Sequence, residues 1–149
     1  MGQSVLAADK KPLTKEESAK EIEKAIRKSL KKPTGELTKA DLEKVGELDF
    51  NSKKLTEVPK GLEKLTQLKT LWLYANNLTD VKVLEKLTKL ETLYLSFNQL
   101  TDLKGLENLT QLRTLYLRNN QLTDVEGLEK LTQLEWLNLD NNELTSVKG

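Results

Sequence analysis

The chain contains no cysteine and no histidine among its 149 residues. Without cysteine it has no disulfide, no thiolate nucleophile and no thiolate ligand for a metal. Without histidine it lacks the most frequent general base and metal ligand of proteins. We therefore predict a protein without catalytic residues, metal ions or cofactors.

An excess of one charge and long apolar runs are also missing. The chain has 24 Lys and Arg residues against 23 Asp and Glu residues, which gives a formal net charge of +1. A nucleic-acid binder carries a basic patch or stripe, and a membrane-spanning helix needs about 20 consecutive apolar residues. The sequence therefore argues against a nucleic-acid partner and against membrane insertion.

Repetition is what the chain has in abundance. A unit of 22 residues occurs four times without interruption, beginning at Leu62, Leu84, Leu106 and Leu128. Ten positions of the unit are identical in all four copies, and six of them are Leu. A fixed period of this length indicates a solenoid, in which each coil buries its apolar side against the neighbouring coils.

The pattern inside each unit predicts a short strand and a tight return. In the first copy, residues 71–73 alternate Leu, Trp and Leu, which is the period of a strand with one buried face. Leu62, Leu65 and Leu68 are spaced three apart, which suits a 3₁₀ or helical turn. Stacked coils would therefore join their strands into a parallel sheet.

An incomplete copy precedes the four complete ones. Its apolar residues match those of the first complete copy with an offset of 23 rather than 22, the matched residues being Leu48, Phe50 and Leu55. The extra residue falls within 58–61, and the sheet should have five strands in all. Lys53 stands where the complete copies carry an Asn, so we expect this first turn to be looser and more exposed.

Two helices are predicted before the repeats. Thr14 with Glu17 and Thr38 with Asp41 are capping boxes, each at the head of a helical pattern. These helices would cover the open core of the first coil. The organisation is thus a tail over 1–13, a helical cap over 14–45 and repeats over 46–149. The apolar and small residues of 5–9 make the tail either disordered or the remnant of a signal peptide.

The repeat pattern LxxLxxLxxLxLxxNxLxxVxx over residues 46–149 resembles the leucine-rich repeats of bacterial internalins, whose units have 22 residues. The resemblance implies an α/β fold, a right-handed curved solenoid. The parallel sheet would lie on its concave face, short 3₁₀ or helical turns on its convex face, and an α-helical cap at its N-terminus. It also implies that a partner binds on the concave face. Export or a place on the bacterial cell envelope is favoured, while a cytoplasmic location stays open.

One asparagine recurs at the turn after each strand of the complete copies, as Asn76, Asn98, Asn120 and Asn142. Buried backbone N–H and C=O groups need partners, and an amide side chain can donate and accept at once. We predict that these four residues have a structural role and bridge successive coils.

The strand positions that vary between copies define a candidate binding surface. Alternate strand residues point away from the leucine core, here onto the concave face. Trp, Tyr and Arg dominate these positions, which is the composition of an interface hot spot. We predict that a protein or peptide of unknown identity binds Trp72, Tyr74, Tyr94, Ser96, Tyr116, Arg118, Trp136, Asn138 and Asp140.

Other interpretations stay open. Aromatic residues favour strands and pair across them, and the second and third complete copies share 15 of 22 positions. A consensus-like or engineered scaffold without a specific ligand would have both properties. Catalysis by carboxylates would require a deep pocket that encloses two of Glu47, Asp49 and Asp140, and we predict no enclosed pocket. The last coil has no polar capping unit, so we expect self-association or fraying at that end.

Overall fold

A parallel sheet of five strands forms one side of the protein. The computed structural model describes residues 11–145, so the predictions for residues 1–10 and 146–149 lie outside the described residues. Neighbouring strands follow chain order, and the register shifts by 23 residues between the first two and by 22 thereafter. Both features confirm the prediction. The strands are β1 (Glu47–Asp49), β2 (Thr70–Trp72), β3 (Thr92–Tyr94), β4 (Thr114–Tyr116) and β5 (Trp136–Asn138).

Leucines from every coil form one continuous core. The invariant leucines of the first three complete copies are buried, and most are fully inaccessible. Each fully buried leucine side chain contributes about 1.5–3 kcal/mol of transfer free energy. Opposite the sheet the chain returns through 3₁₀ turns at Leu62–Lys64, Lys82–Lys86 and Leu128–Lys130, while the coil that starts at Leu106 uses consecutive turns there.

Helix α1 (Lys15–Leu30) covers the first coil, as predicted. The Thr14 hydroxyl accepts a hydrogen bond from the Glu17 N–H, and the Glu17 carboxylate accepts one from the Thr14 N–H. Both hydrogen bonds of the capping box are therefore formed. The backbone N–H and the hydroxyl of Thr14, as hydrogen-bond partners of the Glu17 carboxylate, lower the pKa of Glu17 below its usual value. Ile22 and Ile26 are buried against the leucine core.

Helix α2 (Lys39–Glu43) completes the cap and also begins with a capping box, formed by Thr38 and Asp41. The Lys32 ammonium lies 2.8 Å from the Asp41 carboxylate, which ties the segment between the helices to α2. Lys32, together with the Thr38 N–H and hydroxyl, lowers the pKa of Asp41 to about 2.

The recurring asparagines connect each coil to the one before it. Asn98 donates to the carbonyl of Leu95 in its own coil and to that of Leu73 in the preceding coil, each at 2.9 Å. Its Oδ1 accepts the N–H of Leu78 at 3.0 Å. Asn120 repeats this arrangement one coil later. The carbonyls of Leu73 and Leu95 therefore each accept from two asparagines, one in their own coil and one in the next. The N–H groups of Leu78 and Leu100 each have a single asparagine acceptor.

The turn after β1 is exposed, as predicted from Lys53. Asn76 of the next coil holds it, because its Oδ1 accepts the N–H groups of Lys53 and Leu55 and its Nδ2 donates to the Phe50 carbonyl. The incomplete copy, which has no asparagine of its own at this position, thus depends on the asparagine of its neighbour.

Two glycines in the repeats differ in how closely the neighbouring coil approaches them. A Cβ at Gly105, which has φ +102°, would lie 2.7 Å from the Cα of Lys82 and 2.8 Å from the carbonyl oxygen of Val81. A Cβ at Gly127, with φ +99°, would meet nothing closer than 3.7 Å. A larger residue at Gly105 is therefore opposed both by the close backbone contact and by the positive φ. A larger residue at Gly127 is opposed by the positive φ alone.

The fifth coil is the most accessible part of the repeats that the structure describes. Trp136 is 55% exposed and Leu137 is 40% exposed, while Leu134 and Leu139 are half-buried. The expected self-association through this end stays a prediction. In the described range 11–145, no helix has both the length and the apolar character needed to cross a membrane.

Candidate functional site

Three aromatic rings stack along the concave face of the sheet. Trp72, Tyr94 and Tyr116 occupy equivalent positions of β2, β3 and β4 and are aligned in register. The Trp72 and Tyr94 ring centroids are 5.8 Å apart with planes 9° from parallel, and those of Tyr94 and Tyr116 are 4.9 Å apart at 7°. Strands about 4.8 Å apart bring such rings to stacking distance. We call these three residues the aromatic ladder.

The aromatic ladder does not extend to β5. Asn138 takes the ladder position there, and its Oδ1 accepts the N–H of Asp140 at 2.9 Å. The predicted contact residue Trp136 lies two residues earlier, with its ring tilted 44° and centred 6.4 Å from that of Tyr116. Trp136 thus continues the aromatic surface diagonally and is its most exposed member.

A second row of side chains runs beside the ladder and comprises Tyr74, Phe97 and Arg118. Tyr74 and Phe97 meet edge to face with centroids 5.3 Å apart. The Arg118 guanidinium lies 5.9 Å from the centre of the Phe97 ring, within the range of a cation–π interaction. Tyr74 and Phe97 are each about 40% exposed. We call these three residues the outer row.

The prediction that Ser96 contacts a partner is wrong, because Ser96 is only 7% exposed. Its hydroxyl accepts the N–H of Arg118 from the next coil at 3.1 Å. Asn51 makes the same kind of bond to the N–H of Tyr74. Ser96 and Asn51 thus bond the backbone of the following coil, while Tyr74 and Arg118 at the same position of other coils project from the surface.

Phe97 belongs to the surface although strand alternation did not place it there. It follows the strand at a position where the backbone is left-handed in every complete coil, with φ of 54° to 61°. Two of the four complete copies carry Asn at this position, Asn119 and Asn141. Asn tolerates this conformation better than most residues, which was the available signal for a turn that redirects the side chain.

Ion pairs border the ladder on its other side. The Lys69 Nζ lies 3.3 Å from the Glu91 Oε1, and the Arg113 Nη1 lies 3.5 Å from the Glu135 Oε1. Each pair joins adjacent coils. These pairs are exposed and contribute little to stability. The surface thus has an aromatic centre and a charged rim, which is the usual anatomy of a protein interface.

A cleft opens where the ladder meets the helical cap. It has a volume of about 300 Å³ and is lined by Glu47 and Asp49 of β1, by Trp72 and by residues of α1 that include Lys28. The carboxylates of Glu47 and Asp49 are exposed to solvent. The cleft is open to solvent and does not enclose these two carboxylates. Among residues 11–145, no group of three or more Asp or Glu side chains is placed to hold a metal ion.

Comparison with known proteins supports the same architecture. The sequence profile described as Leucine Rich repeats (2 copies) matches residues 66–108, 88–130 and 110–149, which together span more than half of the chain. No curated protein sequence matches the chain.

Among solved structures, the chain is similar to the internalin InlF of Listeria monocytogenes, at 35% identity and a TM-score of 0.76 over 85% of this chain. A leucine-rich repeat protein of Leptospira interrogans is 32% identical, with a TM-score of 0.68 over 75% of this chain. The functional domain of InlJ of L. monocytogenes is 32% identical, with a TM-score of 0.66 over 72%. The matches cover only 38%, 30% and 23% of those chains, respectively. They confirm the predicted solenoid and its internalin-type repeats.

Proposed function

Because the chain belongs to the leucine-rich repeat family, we propose that it is a non-catalytic module that binds a protein or peptide on its concave face. The observation that carries this proposal is the continuous surface formed by the aromatic ladder, Trp136 and the outer row. Large aromatic side chains and Arg are enriched at interface hot spots, and exposed apolar patches on soluble proteins usually mark binding surfaces.

Cross-strand pairing alone accounts for the ladder but not for the outer row. Stacked rings on adjacent strands stabilise a sheet by about 0.5–1.5 kcal/mol per pair, whatever their function. Phe97 is different, because a bulky residue in the left-handed region costs about 1–2 kcal/mol relative to a relaxed backbone. Asn at the same position in two other coils avoids most of that cost. Strain retained beneath an exposed ring supports a binding role for that ring.

The competing interpretation is a regular scaffold without a ligand. A scaffold needs the leucine core and the asparagine column, and both are nearly constant from coil to coil. It does not need Tyr74, Phe97 and Arg118 to differ from the corresponding residues of neighbouring coils. The one unit position with a different residue in each of the four complete copies follows the strand on this side of the sheet, and it holds Tyr74, Ser96, Arg118 and Asp140. This diversity favours binding over a purely structural role.

The proposal also includes export or attachment to the cell envelope of a bacterium. Its support is the similarity to internalins of Listeria and the small and apolar residues of 5–9, which resemble the end of a signal peptide. Fractionation of cells that express the full natural gene tests this part. Recovery from the envelope or medium is expected, and recovery only from the cytoplasm would contradict it.

Capture of a partner by matched variants tests the binding proposal. The intact protein is immobilised beside a variant in which Trp72, Tyr94 and Tyr116 are all replaced by Ala, and both are exposed to extracts and culture fluid. The control replaces Thr66, Thr88 and Thr110 by Ala, because these exposed residues lie in the return segments of the same three coils. Each retained protein is identified by mass spectrometry.

A partner held by the intact protein and the threonine variant, but lost from the ladder variant, is the expected result. Thermal melts and circular dichroism verify that the ladder variant still folds. Equal recovery on all three proteins, with each of them folded, would overturn the proposal.

A further inference from the structure

The aromatic ladder has one free ring face at its N-terminal end. Tyr94 has a stacked ring on each side, whereas Trp72 is stacked only on the side of Tyr94. The other face of Trp72 looks toward β1, where the ladder position is taken by Asp49. Asp is much shorter than an aromatic residue, so the stack ends one strand before the sheet does. The cleft of about 300 Å³ lies there.

The β1 side of the cleft, next to Trp72, carries two carboxylates. Glu47 and Asp49 project into it from alternate positions of β1, and neither carboxylate makes a salt bridge within residues 11–145. The face of an aromatic ring carries negative partial charge, so a carboxylate on the adjacent strand gains nothing from Trp72. A cation between them would interact favourably with both groups, and Trp is the best aromatic partner for a cation.

We propose that this cleft takes an arginine side chain of the partner, an inference that rests on the proposed function and specifies its chemistry. A guanidinium is planar and stacks on Trp72 as the next member of the ladder. Its fork of N–H donors matches carboxylate oxygens, which Asp49 and Glu47 provide. Helix α1 forms the opposite wall with Ala25 and Ser29, which are small enough to leave the space open. A volume of about 300 Å³ lies at the small end of the range for ligand pockets and has room for one guanidinium side chain.

Lys28 and Lys31 also line the cleft, and their positive charges predict how a lysine substitution should change the affinity for a cation. Both side chains are exposed, and neither makes a salt bridge in the described part of the chain. Long lysine side chains move their ammonium groups into solvent easily, so they do not block the carboxylates. Their charge nevertheless opposes a bound cation, and removing the charge of Lys28 should strengthen binding.

The two tryptophans allow the cleft to be probed without any partner. Each indole N–H gives its own resonance in a ¹H–¹⁵N spectrum, and a Trp136→Phe variant assigns them. Titration with N-acetyl-arginine methylamide should shift the Trp72 resonance saturably, with a Kd of about 1–10 mM for one stacked, ion-paired side chain. The matched citrulline compound has nearly the same shape but no charge, and the matched lysine compound has the charge but no plane. Both should bind at least fivefold more weakly.

Variants locate the binding group. Asp49→Asn keeps the acceptor for the Asn51 N–H, which Asp49 now provides at 2.8 Å, and should weaken the arginine compound at least fivefold. Lys28→Gln should strengthen it about twofold. Glu85→Gln removes an exposed carboxylate from a 3₁₀ turn far from the cleft and should leave the Kd unchanged.

Three results would overturn the arginine cleft. They are equal shifts with arginine and citrulline, equal affinity for lysine and arginine, and a Kd that Asp49→Asn does not change. The titration involves no protein partner, so its result does not depend on the capture experiment. A failed capture would overturn the proposed function and leave the titration result unchanged. If the Trp72 resonance does not shift with the arginine compound, the proposed arginine site is wrong even where a partner is captured.

Discussion

Alanine substitutions along the asparagine column should destabilise the protein in proportion to the backbone groups that each leaves without a partner. Asn76→Ala removes the acceptor of the buried Leu55 N–H and the only side-chain donor to the Phe50 carbonyl in the described chain. Asn98→Ala removes the only side-chain acceptor of the Leu78 N–H among residues 11–145, but the Leu73 and Leu95 carbonyls, which Asn98 bonds, each keep a second asparagine donor.

The magnitudes follow from this count. A buried backbone group without a partner costs about 1–3 kcal/mol. Asn76→Ala leaves two such groups and should lower the free energy of unfolding by about 2–6 kcal/mol. Asn98→Ala leaves one and weakens two shared bonds, for a loss of about 2–4 kcal/mol. Asn142 is half-buried, so water can replace its side chain and the loss should be about 1 kcal/mol or less.

Urea denaturation followed by far-ultraviolet circular dichroism measures the three losses against the intact protein. Asn108→Ala is the matched control, because this exposed asparagine makes no side-chain hydrogen bond among residues 11–145. The order Asn76, Asn98, Asn142, with no measurable loss for Asn108, is the expected result. Equal losses for Asn76 and Asn142, or a loss below about 1 kcal/mol for Asn76, would refute the reasoning.

Three further predictions concern the glycines, the cap and the ladder. Gly105→Ala should lower the melting temperature well beyond Gly127→Ala, since of these two glycines only Gly105 lies against the backbone of the preceding coil; equal shifts would contradict this. The pKa of Asp41 is lowered to about 2 by Lys32 and Thr38, so its contribution to stability is complete above about pH 4 and is lost as the pH falls toward 2. Urea melts of intact protein and Asp41→Asn across that range should converge at the acid end, and a constant difference would argue against the ion pair. Tyr94→Leu removes two stacked pairs and should cost about 1–3 kcal/mol in a urea melt, and no change would show that the stacking contributes nothing.

The fold could be predicted from the sequence because the repeat acts as its own alignment. The 22-residue period placed the strands, and the offset of 23 placed the extra residue before the second coil. Both capping boxes marked the helix starts correctly, since they involve residues only three apart. Local spacing was sufficient wherever the interacting groups are close in the chain or equivalent in successive coils.

The binding face could be predicted only in part. Alternation along the strand placed Trp72, Tyr94 and Tyr116 on one surface, but it assigned Ser96 to that surface as well. The hydroxyl of Ser96 bonds the backbone of the next coil, which alternation does not reveal. Phe97 was ambiguous because its direction depends on a left-handed backbone just after the strand.

The cleft beside Trp72 escaped sequence reasoning for a different reason. It forms only because α1 packs against β1, and its lining combines residues 25–31 with residues 47–51 and Trp72. Neither capping nor periodicity specifies where a cap helix sits relative to the sheet. The short Asp49 at the ladder position was visible in the sequence, but its consequence depended on that packing.

Site-specific photo-crosslinking tests the central claim most directly. A benzoylphenylalanine is placed at Tyr94 on the ladder or at Thr88 in the return segment of the same coil, and each protein is irradiated with the material that contains the partner. Our account predicts that the same partner is crosslinked from position 94 and not from position 88. Crosslinking from position 88 alone, or equally from both, would show that the concave face is not where the partner binds.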